Sequence, residues 1–237
     1  MFDFFASVGD LNIVYNAKAF QPYANSLIGN FKFIGTSFRE NRDQIDLDFS
    51  QFKRSKLIYI SMGTVNFNTE DFYRLCFEAF GEEDVDVILS VGKTTDIKVL
   101  GNTPENFLLR NSVPQLEVLK HVDLFISHGG MNSINESLYF GVPLLIVPQQ
   151  FEQHFNGRRM VKLGVAQVIR PEVITLEKLR AAVSHLLSEP SYQQKAQQCG
   201  EMLRSSGGYQ AAVEAVLSLV NQLNRTPISR SVTAEVT

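Results

Sequence analysis

The chain has 237 residues, a formal net charge of −3 and 20% charged residues. This length is enough for one large domain, or for one domain and part of another, and the 44% hydrophobic fraction is typical of a globular protein with a packed core. The slightly acidic balance, without a run of Lys or Arg, disfavours nucleic acids and anionic membranes as partners.

Residues 1–55 carry only weak signals of regular structure. Leu11–Tyr15 and Phe31–Ile34 are predicted strands, and the polar stretch Arg39–Lys53 is a predicted linker. The Leu11–Tyr15 strand is expected to have no sheet to join within its own segment. The segment is either an extension of the domain that follows or the end of another domain.

From Lys56 onward, short β-branched runs alternate with longer amphipathic stretches, a pattern typical of βαβ units and a parallel sheet. This alternation predicts an α/β fold with a doubly wound parallel sheet. The predicted strands are Lys56–Ser61, Val85–Val91, Phe107–Asn111, Leu124–Ser127, Pro143–Val147 and Ala166–Ile169. The predicted helices between them are Thr69–Phe80, Gln115–Lys120, Asn132–Phe140, Glu152–Leu163 and Leu176–Ser188.

Two more helices are predicted after the sheet, at Tyr192–Arg204 and Tyr209–Leu223, separated by the breaker Ser205-Ser206-Gly207-Gly208. Residues 224–237 are predicted to be a flexible tail. The last helix has an apolar stripe that is too wide for packing on one neighbour, so part of it is expected to be exposed. The stripe consists of Ala212, Val213, Ala215, Val216, Leu219, Val220 and Leu223.

Cysteine usage and hydropathy bear on the compartment. Cys76 and Cys199 lie far apart and outside any CxxC or His-rich pattern, which predicts no metal site and a reducing, cytoplasmic location. The longest apolar run, Val142–Pro148, is too short to cross a bilayer, and no basic leader is present. No stable membrane insertion is therefore expected.

The loop after the first strand of the sheet is a candidate ligand site, because open α/β sheets bind ligands beyond the carboxyl ends of their strands. Ser61-Met62-Gly63-Thr64 offers small side chains, hydroxyls and backbone amides to an oxyanion. Alone this pattern is weak, since many strand ends resemble it. No G-x-G-x-x-G follows the strand, which disfavours a dinucleotide-dependent oxidoreductase.

A second loop, Ser127–Ser133, is glycine-rich and opens a predicted helix. Its glycines allow close backbone approach, and its helix start offers amides and a favourable dipole to a phosphate. His128 fits either a phosphate donor or a buried histidine that caps the helix. Glu136 fits either a ligand contact or half of a capping box with Ser133.

A third loop, Pro148–Gln153, follows the apolar strand Pro143–Val147. Glu152 accepts hydrogen bonds, and Gln153 and Asn156 both accept and donate, so these side chains suit sugar hydroxyls. By itself, however, the stretch fits an ordinary polar helix start better.

The ordered combination of these motifs is specific, and over about Phe2–Leu223 the chain resembles UDP-dependent glycosyltransferases. It is most similar to the bacterial macrolide-type enzymes, which have the GT-B fold. The matching signature is Val113-Pro114-Gln115-x-x-Val118-Leu119-x-His121, His128-Gly129-Gly130-Met131-Asn132-Ser133-x-x-Glu136, Gly141-Val142-Pro143, Pro148-Gln149 and Glu152-Gln153.

The resemblance implies a role for each matching residue. Gln115 and Glu136 would bind the ribose, and the backbone of Val113 would contact the uracil edge. Glu152 and Gln153 would bind the hydroxyls of the donor sugar. The residues that would hold the diphosphate are Ser61, Thr64, His128, Gly130, Asn132 and Ser133.

Two departures from the family pattern matter. Ser112 stands where many members have an aromatic ring that stacks on uracil, so base stacking is expected to be weaker here. None of the four histidines stands in the context of the family's catalytic histidine; they are His121, His128, His154 and His185. The resemblance therefore implies that the catalytic base lies in an N-terminal domain that is mostly missing from this chain.

The chain is therefore expected to be the Rossmann-like C-terminal domain of a GT-B glycosyltransferase. Residues 1–55 would be a remnant of the acceptor domain with a linker, and residues 56–223 the nucleotide-sugar-binding domain. The enzyme would move a hexose from a UDP-sugar to a hydroxyl of a small-molecule acceptor, such as a macrolide or a phenolic, without a cofactor. The alternative is a non-catalytic nucleotide-sugar-binding module, or a donor subunit that needs a separate acceptor-domain partner. The exposed apolar helix face also predicts self-association.

Overall fold

The computed structural model describes residues 8–38, 47–63 and 69–225. These residues form two compact units, one made of 8–37 with 206–225 and the other of Phe38–Ser205. The last helix groups with the N-terminal residues in the smaller unit. Among the described helices, none is both long and apolar enough to cross a bilayer.

The secondary structure alternates between strands and helices through most of the chain. The strands are β1 (Asn12–Val14), β2 (Phe31–Phe33), β3 (Leu57–Ser61), β4 (Asp86–Ser90), β5 (Phe107–Arg110), β6 (Leu124–Ser127), β7 (Leu144–Ile146) and β8 (Ala166–Val168). The α-helices are α1 (Glu70–Phe80), α2 (Gln115–Val118), α3 (Met131–Tyr139), α4 (Phe151–Leu163), α5 (Leu176–Ser188), α6 (Pro190–Ser205) and α7 (Gly208–Arg225).

The larger unit is built on a six-stranded sheet with the order β5-β4-β3-β6-β7-β8, in which every neighbouring pair is parallel. The chain builds outward from β3 to β5 on one side and from β6 to β8 on the other. The order therefore reverses between β3 and β6, and loops that leave strands at such a reversal open a crevice for ligands. The predicted doubly wound parallel sheet is confirmed.

The central strands are buried on both faces, which explains why they appear in the sequence as continuous apolar runs. On one face, Ile58 and Ile60 pack in a core with Phe77 of α1 and Val183 of α5. Burying a side chain of this size contributes about 1.5–3 kcal/mol. The intervening residue, Tyr59, is also fully buried, and its ring stacks on Phe125 at 4.6 Å.

The smaller unit corrects one sequence-based expectation. The strand predicted at Leu11–Tyr15 does have a partner in its own segment, because β1 pairs in parallel with β2, with Asn12 opposite Phe31. A parallel pair needs a crossover connection of a dozen or more residues. Residues 15–30 supply this connection and contain two short 3₁₀ turns, Lys18–Phe20 and Ala24–Ser26.

Helix α7 exposes much of its apolar surface, as its sequence predicted. Ala212 is buried, whereas Val213, Val216, Val220 and Leu223 are 43–58% exposed. The helix starts beside β2, where the Gly208 amide donates to the carbonyl of Ile34 at 2.8 Å.

Predicted boundaries agree with the observed ones to within two residues. Differences of two residues occur at the ends of α2 and α7 and at the start of α6, which begins at Pro190 rather than Tyr192 because proline is well tolerated at the first helical position. Within the predicted linker, residues 39–46 lie outside the described part of the chain. Farther along the predicted linker, Phe49–Gln51 forms a 3₁₀ turn, and the ring of Phe49 stacks on His121 with the ring centroids 3.9 Å apart. Of the predicted tail, residues 226–237 also lie outside the described residues.

Candidate functional site

Buried serines end the central strands at the point where the sheet order reverses. Ser61 of β3 lies level with Ser90 of β4 and with Ser127 of β6. All are at most 9% exposed. This edge of the sheet is therefore lined by small hydroxylated side chains, and the loops that carry the predicted site leave from it.

The loop after β6 leads directly into a helix N-terminus that is built from glycine. Gly129 has a φ of +86°, and a Cβ there would lie 2.6 Å from Cγ2 of Ile146. Gly130 is the N-cap of α3, which begins at Met131 without a side-chain cap hydrogen bond. Helix starts of this kind present backbone amides and a positive dipole end to an anion.

The start of α3 excludes one alternative for Glu136. Because the helix begins at Met131, Ser133 lies inside its first turn and does not serve as the N-cap. The proposed capping box between Ser133 and Glu136 is therefore wrong. Asn132 is exposed and Ser133 is half-buried in that same turn.

The ring of His128 is held between the loops that follow β3 and β6. A Cβ on Gly63 would lie 2.8 Å from Cε1 of the ring, and a Cβ on Gly130 would lie 2.6 Å from Nε2. A side chain at either glycine would displace the imidazole from its present position. Thr64, the other residue predicted in the first loop, lies outside the described residues.

Burial lowers the pKa of His128, and the Glu152 carboxylate and the Ser61 backbone oppose that shift. Nδ1 is buried and makes no hydrogen bond of normal length with the described residues. The imidazole is thus neutral near pH 7, with one donor and one acceptor nitrogen. An anion beside the ring would favour its protonated form.

Gln115 and Glu136 are joined in a chain of hydrogen bonds that starts at a buried tyrosine. Tyr59 Oη donates to Gln115 Oε1 at 3.0 Å, and Gln115 Nε2 donates to Glu136 Oε2 at 2.5 Å. Gln115 begins α2 and Glu136 lies in α3, so the bond connects two elements around the site. The residues predicted to share one ligand group are therefore in direct contact.

Glu152 and Asn156 connect the third loop to the glycine loop. Asn156 Nδ2 donates to Glu152 Oε1 at 2.8 Å and to the backbone carbonyl of Gly129 at 3.1 Å. Asn156 is buried, whereas Glu152 is exposed. The amide thus orients the carboxylate beside the loop that carries His128.

Gln153 has a structural task in the protein. Its Oε1 accepts from the backbone amides of Gln149 at 2.7 Å and Gln150 at 3.1 Å, which forms a capping box at the start of α4. The side chain is 5% exposed. One of its two polar atoms is therefore committed to the helix start.

The remaining predicted positions lie on the segment between β5 and α2. Ser112 is exposed and Val113 is half-buried, directly before Pro114 and the start of α2. Sequence reasoning missed Tyr59, whose hydroxyl contacts Gln115. A tyrosine in a run of buried β-branched residues gives no local sign that its hydroxyl is used.

The family model described as "UDP-glucoronosyl and UDP-glucosyl transferase" matches residues 7–204. The chain belongs to this family. The uncharacterized UDP-glucosyltransferase YojK of Bacillus subtilis (strain 168) is 37% identical over 221 residues, which cover 93% of this chain and 55% of that protein.

Other similar proteins are also named as bacterial glycosyltransferases or are solved glycosyltransferase structures. Oleandomycin glycosyltransferase of Streptomyces antibioticus is 27% identical over 90% of this chain and 50% of that protein. The crystal structure of the glycotransferase of kitacinnamycin has a TM-score of 0.82 and 33% identity, covering 88% of this chain and 55% of that one. The fold is therefore that of a GT-B glycosyltransferase domain. The chain spans about half the length of the curated relatives it matches.

Proposed function

We propose that this chain provides the nucleotide-sugar site of a UDP-dependent glycosyltransferase that transfers a hexose to a hydroxyl of a small molecule, such as a macrolide or a phenolic. The observation that carries the proposal is the connected set of groups at the reversal of the sheet. Gln115 contacts Glu136 on α3, and the same helix starts beside His128. Asn156 joins Glu152 to the loop that carries Gly129, directly before α3. Family membership supports the same function.

The diphosphate of UDP would lie at the start of α3. The amides of Gly130–Ser133 and the helix dipole would hold its charge, and Nε2 of His128 would donate to a phosphate oxygen. Because the imidazole is partly desolvated, its hydrogen bond to an anion would be stronger than in water. The ribose would bind to Gln115 and Glu136, and the uracil would contact the backbone near Val113.

The donor sugar would be oriented by Glu152. Its carboxylate is fixed by Asn156 and accepts hydrogen bonds only, which suits the hydroxyls of a hexose. We retain Gln153 as a second sugar contact through Nε2, since its Oε1 already binds backbone amides.

In the reaction, the acceptor oxygen would attack the anomeric carbon and lose its proton to a general base. The bond from that carbon to the β-phosphate oxygen would break, and its electron pair would leave with UDP. The amides at α3 and His128 would stabilise the negative charge that develops on the leaving group. This route requires no metal or other cofactor, and the base would come from outside this chain.

A second candidate is a donor subunit that works only with a separate acceptor-domain partner, or a binding module without catalysis. The exposed apolar side chains of α7 favour it, because contiguous apolar surface of this kind commonly marks an interface. A panel of acceptors assayed with the chain alone and with a supplied acceptor domain separates these candidates.

Titration calorimetry with UDP tests the proposal. The chain should bind UDP, and His128→Ala should weaken binding by about one to two decades, since a hydrogen bond to a charged group contributes roughly 1.5–3 kcal/mol. His185→Ala is the matched control, because that histidine is exposed near β8. Equal binding by the parent chain and His128→Ala, or no binding by the parent, would contradict the phosphate assignment.

A further inference from the structure

Tyr59 is a fully buried tyrosine whose hydroxyl donates a hydrogen bond to Gln115, one of the two side chains of the candidate ribose site. Its ring is fixed by stacking on Phe125, its partner across the β3–β6 pair, with an interplanar angle of 18°. Burial raises the pKa of Tyr59, so the phenol keeps its proton near neutral pH and remains able to donate.

The chemistry of the partners sets the direction of each hydrogen bond in this chain. A carboxylate can only accept, so the amide nitrogen of Gln115 must face Glu136. The amide oxygen of Gln115 must then face Tyr59, and the phenol must donate to it. Turning the amide over would place its oxygen against the carboxylate, which is repulsive. Glu136 thus sets which way the Gln115 amide points, and the Tyr59 hydroxyl holds the amide oxygen in that orientation.

We infer that Tyr59 is a positioning residue for recognition of the ribose diol, acting through Gln115 on Glu136. The inference rests on the proposed function, because it assigns the diol of a uridine nucleotide to these two side chains. Tyr59 touches no ligand itself. Its hydroxyl holds the Gln115 amide and, through it, the Glu136 carboxylate in one orientation before the ligand arrives, which reduces the ordering that binding requires.

The test compares UDP with 2′,3′-dideoxyuridine diphosphate, which lacks both ribose hydroxyls. Tyr59→Phe removes the phenol oxygen and keeps the stacked ring. We expect the Kd for UDP to rise about three- to tenfold, the range given by loss of one neutral hydrogen bond, while the Kd for the dideoxy compound is unchanged. A general loosening of the fold would weaken both ligands alike. Tyr192→Phe is the matched control, since the Tyr192 phenol oxygen accepts a hydrogen bond from Nε2 of Gln167 in β8 at 3.3 Å.

Gln115→Met breaks the same chain of hydrogen bonds at its middle member and leaves the buried residue Tyr59 unchanged. It should also reduce the preference for UDP, and Tyr59→Phe should cause no further loss in that background. If Gln115→Met or a folded Tyr59→Phe retains the full preference, the inference is wrong while the UDP site stands. A parent chain that binds UDP and the dideoxy compound equally overturns the inference alone. A parent chain that binds neither overturns the proposed function and the inference with it.

Discussion

Asn156 Nδ2 donates to the backbone carbonyl of Gly129 at 3.1 Å, although the two residues are 27 positions apart. The same amide nitrogen donates to Glu152 Oε1 at 2.8 Å. One buried side chain therefore joins the glycine loop after β6 to the carboxylate at the start of α4. This connection holds the Glu152 carboxylate beside the loop that carries His128.

Asn156→Ala should destabilise the protein and weaken nucleotide-sugar binding together. The substitution leaves the buried Gly129 carbonyl without its partner, which typically costs about 1–3 kcal/mol. Urea unfolding should show this loss, and calorimetry should show weaker binding of UDP-glucose. Asn102→Ala, at an exposed position, serves as the control. Unchanged stability in Asn156→Ala would show that the bond to Gly129 contributes nothing.

The lowered pKa of His128 predicts a specific dependence of stability on pH. Its ordinary value is 6.5, and the folded chain holds it below that value. Between the two values the unfolded state binds more protons, so the stabilisation is complete above about pH 6.5 and is lost as the pH falls through the folded pKa. The free energy of unfolding, measured with urea, should therefore fall more steeply for the parent chain than for His128→Gln as the pH is lowered from 7.5 to about 5. An equal pH dependence in the two proteins would contradict the lowered pKa of His128.

The affinity for UDP should change with pH in the opposite direction to the stability. A diphosphate beside the ring favours the imidazolium, so the affinity for UDP should rise as the pH falls from about 7.5 to 6.5, where the phosphate remains largely ionised. His128→Gln should lack this rise. Calorimetric titrations at each pH supply the measurement, and a falling affinity in the parent chain would contradict a diphosphate beside His128.

The chain alone should transfer no sugar at a useful rate, although it should bind the donor. General base catalysis contributes about 10²–10⁴-fold, and we assign no base to this chain. Proximity supplies its ~7–11 kcal/mol only when both substrates are held together. Radiolabelled UDP-glucose with phenolic and macrolide acceptors, with and without a supplied acceptor domain, measures the difference. Robust turnover by the chain alone would place a base among its own histidines.

The exposed apolar face of α7 should promote self-association of the isolated chain. Val216 and Val220 lie one turn apart and are 43% and 45% exposed. Sedimentation velocity should show a mass that rises with concentration, and the double substitution Val216→Lys with Val220→Lys should abolish that rise. Ser218→Lys adds charge at an exposed polar position of the same helix and should change little. A parent chain that stays monomeric throughout would contradict the expectation.

The sheet could be predicted from the sequence because buried parallel strands form continuous apolar runs between amphipathic helices. Strand β6 and helix α5 match their predicted bounds. The pairing of β1 with β2 was missed, since it joins residues far apart in sequence and neither three-residue strand shows which partner it will take. Local pattern identifies a strand, but a long-range contact decides its neighbour.

Some features of the candidate site could likewise be predicted from the sequence, and others depend on long-range contacts. The glycine-rich loop at the start of α3 was predicted from the sequence, whereas the packing of Gly63 against the His128 ring was not. The contact between Gln115 and Glu136 was anticipated only as a shared ligand, and the hydroxyl of Tyr59 beneath them gave no sequence signal. The capping role of Gln153 was likewise hidden, because Gln149 and Gln150 use backbone amides that any sequence supplies.

Backbone amide chemical shifts of the ¹⁵N-labelled chain during a UDP titration test the central claim most directly. The amides of Gly130, Met131, Asn132 and Ser133 should show the largest changes, because the diphosphate would bind at the start of α3, and uridine without phosphates should leave them nearly unchanged. Changes confined to another surface, such as the groove lined by Gln167 and Lys195 beside β8, or no change at all, would contradict the account.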